Sequence, residues 1–133
     1  MLSQDLVYDY DQARVEYFPK YNVVYMKWRS DAHGDDYKKP FESSLRLLNF
    51  NRGSVFILDM SYSFVAHSED LSWAFETFLS ELSKTGCSRV IFVFKDIPDG
   101  ENDNIRWYEA TSRRFEVRTA ATFDLAVSQL CSI

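Results

Sequence analysis

Apolar and polar residues alternate with a period of two at three places near the start of the chain. Residues 6–10 set Leu6, Tyr8 and Tyr10 against Val7 and Asp9, and residues 13–18 place Val15 and Tyr17 on one face. Residues 23–28 place Val24, Met26 and Trp28 opposite Val23, Tyr25 and Lys27. Such alternation marks half-buried strands. "PKYN" at 19–22 supplies a turn between the second and third, so an antiparallel meander is expected. After "DAHGDD" at 31–36 the period changes. Tyr37, Phe41, Leu45 and Leu48 form one helical face, with Asp35 or Asp36 as the cap, Pro40 in the first turn and "NRG" at 51–53 as the end.

The second half is more apolar. "SVFILDM" at 54–60 and "RVIFVFK" at 89–95 run without alternation, as strands covered on both faces do. Between them Leu71, Ala74, Phe75, Phe78, Leu79 and Leu82 recur at helical spacing. Ser68 is the expected N-cap of this helix, Glu69 and Asp70 suit its positive end, and Gly86 suits its C-terminal cap. "DIPDGENDN" at 96–104 is a polar loop. Ile105, Tyr108, Ser112 and Phe115 fit a short helix, "FEVRTAATF" at 115–123 a last strand, and "DLAVSQL" at 124–130 a closing helix capped by Thr122 or Asp124. The order βββ-α-β-α-β-α-β-α predicts an α/β protein with a single mixed β-sheet, an N-terminal antiparallel meander and β-α repeats, in one domain over residues 1–133.

Composition narrows the partners. With 133 residues and 17% aromatics, the chain has the length of one domain and material for a core. Its net charge is −5 and its fifteen Lys and Arg are scattered, which argues against nucleic acid as a partner. Cys87 and Cys131 have no metal-ligand spacing and are expected to be free thiols of a reducing compartment. No basic-then-apolar leader opens the sequence, and no apolar run approaches the roughly 20 residues of a membrane helix. A cytoplasmic protein without membrane insertion is expected.

Candidate chemistry concentrates after the strand at 54–60. Asp59, Ser61, Ser63, His67, Ser68 and Trp73 make up a candidate interaction or ligand loop. Asp59 ends a buried strand, where ligands of open α/β sheets gather, or where a carboxylate accepts loop amides. Trp73 lies two residues past Leu71, about 200° around a helix, and is expected to face outward as a contact residue. His67, Ser68 and Asp70 do not make a catalytic triad, because sequence neighbours rarely point at one another and no nucleophile elbow is present. Neither His33 nor His67 has a second histidine three to five residues away, so no metal site is expected. "NRGS" is too short for a phosphate loop, and no cofactor is expected.

Several stretches together resemble the STAS-like domains related to bacterial anti-sigma-factor antagonists, in a divergent branch of small bacterial proteins. A strand ends in Leu58 and Asp59, "SEDLSW" opens the next helix, and Gly86 precedes the next buried strand. Phe123, Ala126 and Leu130 close the chain as F-x-x-A-x-x-x-L. Antagonists carry "LDLS", a short loop and "DSSGL" at a helix start. Here "LDMS" at 58–61 and "HSEDL" at 67–71 match that spacing without a gap. The resemblance implies that Ser68 stands where the family is phosphorylated. His67 replaces the usual Asp, Glu69 the second Ser or Thr, and Asp70 the Gly.

The leading expectation is therefore a non-enzymatic regulatory or scaffolding domain that meets a protein partner through residues 59–73. A homodimer is expected if the meander's edge strand is covered. The alternative is a small-ligand module for a nucleotide or lipid, using the crevice between the strands ending at Asp59 and Lys95.

Overall fold

The computed structural model describes residues 6–62, 64–94 and 103–130. Ser63, Lys95 and Cys131 lie outside the described residues. Six strands form one mixed sheet in sequence order: β1 Val7–Asp9, β2 Ala13–Phe18, β3 Val23–Trp28, β4 Val55–Asp59, β5 Val90–Val93 and β6 Val117–Ala120. The first three pair antiparallel, with Tyr8 opposite Val15 and Val15 opposite Met26. The last four are parallel, with Lys27 beside Asp59 and Asp59 beside Val93. The tight turn between β2 and β3 requires a left-handed residue, and Asn22 supplies it at φ 55°.

Three helical crossovers link the parallel strands. α1 is Asp35–Phe50. The second crossover begins as α2, Ser68–Trp73, passes through a π turn at Ala74–Phe78 and ends as α3, Leu79–Leu82. The third is α4, Asn104–Ser112, and α5, Phe123–Leu130, follows β6. Right-handed crossovers that always step the same way along a sheet fall on one face. Accordingly, Phe41, Leu48, Phe78, Leu82 and Trp107 share one core cluster with Val24, Met26, Phe56, Leu58 and Phe92. Among the described residues only α5 covers the other face, where Ala126 and Val127 meet Val23, Ile57, Ile91 and Val93. β4 and β5 are thus covered on both sides, as their unbroken apolar runs require.

Local chemistry departs from the sequence reading at two helix starts and agrees with it at a third. α1 starts at Asp35 with Gly34 as its N-cap residue, at φ 63° and ψ −130°, which glycine alone adopts without strain. Asp35 and Asp36 lie in the first turn and make no cap bond. Pro40 is then one turn deeper than expected, and its missing N–H leaves the Asp36 carbonyl without its i+4 donor. At the start of α2, His67 holds the cap position and no side-chain cap bond forms, so Ser68 is the first helical residue and not the cap. At α5 the expected cap is present: Leu125 N–H donates to Thr122 Oγ1 at 3.1 Å.

The buried face of α4 is also shifted by one residue. Asn104, Trp107 and Thr111 are buried, whereas Ile105 and Tyr108 are exposed. The two sets have the same helical spacing, and the largest apolar side chain sets the phase. Trp107 stacks on Phe41 at 5.4 Å and meets the Phe75 ring edge-on at 5.1 Å. Trp107→Ala is expected to lower stability by about 3–5 kcal/mol. Ile105→Ala is expected to cost less than about 1 kcal/mol. Urea unfolding of both variants measures the contrast, and equal losses would restore the unshifted face.

Candidate functional site

The carboxyl ends of β3, β4 and β5 carry two very different spaces, one on each face of the sheet. On the crossover side the loop after β4 folds inward. Phe64 and Ala66 pack with Trp28, Tyr37 and Trp107 around a residual cavity of about 10 Å³, the lower limit for a single water. Ala66 N–H donates to Asp103 Oδ2 at 2.8 Å, and Asp103 is itself buried. Burial and the nearby Asp103 carboxylate push the Tyr37 hydroxyl well above the usual tyrosine range. The interior under this loop is filled.

The α5 side is open. A groove of about 540 Å³ is lined by Tyr25, Lys27, Asp59, Ser61, Thr122, Phe123 and their neighbours. Alternation along the strands explains the set. Tyr25 and Lys27 lie on the α5 face of β3, Asp59 on the same face of β4, and the start of α5 forms the opposite wall. Asp59 is 4% exposed and fully engaged. Its Oδ1 accepts Ser61 N–H at 2.9 Å, a side-chain turn two residues long, and its Oδ2 accepts the Tyr25 hydroxyl. Burial and then the bond to Asp59 raise the Tyr25 hydroxyl far above its ordinary value, so it stays protonated and donating. Tyr25 also packs on Phe123, ring centroids 4.4 Å apart.

The remaining loop residues fall elsewhere. His67, Ser68 and Glu69 are exposed, and Asp70 is 2% exposed. Asp70 Oδ2 accepts His33 Nδ1–H at 2.9 Å and Gly34 N–H at 3.2 Å, not a group of His67. The His33 and His67 rings stack at 3.7 Å. Spacing along the chain had no way to pair these two, because they sit in different loops that only the fold brings together.

Trp73 corrects the expectation of an outward indole. It is half-buried, with its ring 6.0 Å from Phe41 and 6.4 Å from Phe78, and Lys38 lies over it at 5.6 Å. The π turn accounts for the contact with Phe78. Leu79 N–H reaches back five residues to the Ala74 carbonyl. An ideal α-helix sets residues five apart about 140° apart, whereas i→i+5 closure brings Trp73 and Phe78 to one side. Lys27, Tyr25 and Thr122, which complete the groove around Asp59, were read in the sequence only as strand and cap residues. Strand alternation puts Tyr25, Lys27 and Asp59 on one face once the β3–β4 register is known.

No family model matches this chain, and neither a curated protein nor a solved structure matches it. The resemblance to STAS-like domains rests on the quoted residues alone. Among the described residues, no helix is long and apolar enough to cross a membrane. Cys87 is a free thiol, and its burial pushes the thiol's pKa above the usual range.

Two measurements test this geometry. The folded-state pKa of Tyr25 is raised, so its contribution is complete below tyrosine's ordinary 10.0 and is lost as pH rises above that value. Tyr37 shifts the same way. Stability measured by denaturant should therefore fall between about pH 9 and 11, and less steeply in Tyr25→Phe. At pH 7 the same variant should cost about 1–3 kcal/mol, because a buried carboxylate loses a donor. Ser68→Ala, in contrast, should change stability by less than about 0.5 kcal/mol, as at any exposed uncapped position. A loss near 1 kcal/mol would identify a cap bond.

Proposed function

We propose that the protein is a non-catalytic binding module that takes a small polar ligand in the groove beside Asp59. One observation carries the reading. A buried, fully bonded carboxylate, an exposed lysine paired with it across β3 and β4, and an aromatic wall converge on an open groove at the carboxyl ends of parallel strands. Ligands of open α/β sheets bind at that end. A larger groove of about 680 Å³ at the start of β6 is lined by Arg89 and Arg118, but both arginines are paired with Glu116.

The lining also favours one ligand class. Phe123 and Tyr62 offer ring faces, Asp124 offers acceptor oxygens, and Lys27 offers a cation. A planar ring with amino donors and an anionic tail, as in a nucleotide, meets all three. An acyl chain would have to bury Lys27, Asp59, Ser61, Thr122 and Asp124 against hydrocarbon, which costs free energy at every unpaired polar group.

A protein partner on the same loop is the second reading. Val65 is 70% exposed and Tyr62 is 40% exposed, and they replace Trp73 as the apolar contacts of that surface. Single exposed apolar residues are common, so this reading ranks second.

Thermal unfolding with ATP, GTP, AMP and the matching nucleosides at about 1 mM tests the proposal. A dissociation constant near 100 µM would stabilise the fold by about 1.4 kcal/mol, a rise of roughly 3–6 °C. Lys27→Ala, an exposed change, should remove the rise while leaving the ligand-free transition in place. No shift with any of these compounds, or an equal shift in Lys27→Ala, rejects a nucleotide in this groove.

A further inference from the structure

The loop between β3 and α1 and the first turn of α2 meet on the crossover side, away from the Asp59 groove. His33 comes from the first, and His67 and Glu69 from the second. One ligand atom of each lies within 4.8 Å of the other two, and all three side chains are exposed. Tetrahedral coordination at about 2.0–2.1 Å sets ligand atoms roughly 3.3 Å apart. The remaining closure needs only rotation of exposed side chains.

Four features mark this as more than a surface histidine pair. The His33 ring is already oriented, because its Nδ1–H is held by the buried Asp70 carboxylate, leaving Nε2 free to ligate. A carboxylate behind a ligating histidine is the usual supporting arrangement of a metal site. Asp70 is fixed in turn by Gly34 N–H. The His33 and His67 rings, one from each loop, are in contact with centroids 3.7 Å apart. Finally, the adjoining groove of about 350 Å³ is lined by Asp31 and Asp36 beside His33 and His67. The α2 N-terminus opposes a cation with about half a positive charge. Asp31, Asp36, Glu69 and Asp70 outweigh it.

We propose that His33, His67 and Glu69 form a binding site for a divalent transition-metal ion of the Zn²⁺ type, with Asp70 as the positioning residue for His33. Two imidazoles and one carboxylate suit Zn²⁺ and its neighbours and disfavour Mg²⁺ and Ca²⁺, which take oxygen ligands. The fourth position faces solvent. Bound metal would join the β3–α1 and β4–α2 connections, so it would stabilise the fold in proportion to its occupancy.

Titration calorimetry of the full chain, free of any histidine tag, with Zn²⁺ and Mg²⁺ tests the site. One Zn²⁺ should bind per chain and raise the melting temperature, and Mg²⁺ should do neither. His67→Ala and Glu69→Gln should each weaken Zn²⁺ at least about tenfold, the loss typical even of a supporting residue. His33→Ala removes the partner of buried Asp70, so its metal-free melting temperature is measured first. If that falls, His67→Ala, which leaves the His33–Asp70 pair intact, decides. The assignment is overturned by no saturable binding at about 100 µM Zn²⁺, by unchanged affinity in His67→Ala, or by unchanged affinity in Glu69→Gln.

Discussion

A carboxylate taken out of water recovers its desolvation cost only when donors surround it. Asp59, Asp70 and Asp103 are all buried near the carboxyl ends of the strands, and each solves this problem with main-chain N–H groups. Asp59 takes Ser61 N–H, Asp70 takes Gly34 N–H, and Asp103 takes Ala66 N–H. Two loops are thereby pinned in place, at three points. The loop after β4 is held twice, at Ser61 by its own strand and at Ala66 by the start of α4. The loop before α1 is held by α2. The groove and the histidine pair inherit their geometry from these contacts, because Ser61 is itself pinned and His33 and His67 adjoin Gly34 and Ala66.

The winding of the sheet decides which side stays open. Because each crossover steps in the same direction, α1, α2 and α4 crowd one face and fill it with Phe41, Phe78 and Trp107. The loop after β4 adds Phe64 and Ala66 there, and only about 10 Å³ is left between them and Trp28, Tyr37 and Trp107. Among the described residues the other face has only α5, eight residues long, lying against β5 and β6. A helix of that length spans about 12 Å, too little to cover a six-stranded sheet. The uncovered part is polar at β1 and β2, where Asp9, Arg14 and Arg29 form ion pairs. At β3 and β4 it becomes the groove. A single-sided winding thus fills the interior on the crossover side and leaves the groove beside α5 open.

Periodicity carried the fold because period two and period 3.6 report directly on which side of an element is buried. The meander, the two covered strands and the closing helix with Thr122 as its cap were readable for that reason. The failures share a cause as well. In α4 two stripes one residue apart, through Ile105 or through Trp107, fit the same period, and only packing against Phe41 separates them. Trp73 was placed by ideal helix geometry, and a π turn that the sequence does not announce changed its surroundings. Ser68 looked like a cap by residue type, yet the helix begins one residue earlier relative to it. Of the groove, Asp59 and Ser61 were legible from the strand end, while Tyr25 and Lys27 needed the β3–β4 register. The histidine pair required two loops 34 residues apart to meet, which no local pattern encodes.

The groove and the histidine cluster are linked through Tyr62, whose ring also packs on Phe64 at 6.0 Å. Tyr62 lines the groove beside Asp59, and its hydroxyl donates to Asp31 at 2.6 Å. Asp31 in turn lines the space over His33 and His67. That bond raises the Tyr62 hydroxyl above its ordinary value, but both partners are exposed, so water competes for each of them. Coupling between two sites equals the free energy by which one ligand changes the other's contacts. A solvent-exposed hydrogen bond and one ring contact offer little to change. The buried contacts are also separate: Asp59 is tied to Tyr25 and Ser61, and Asp70 to His33 and Gly34, with no residue in common. Occupation of one site should therefore leave the affinity of the other nearly unchanged. Residues whose interactions are independent are expected to behave additively, and Lys27→Ala with His67→Ala is the pair in which that independence is most directly expressed.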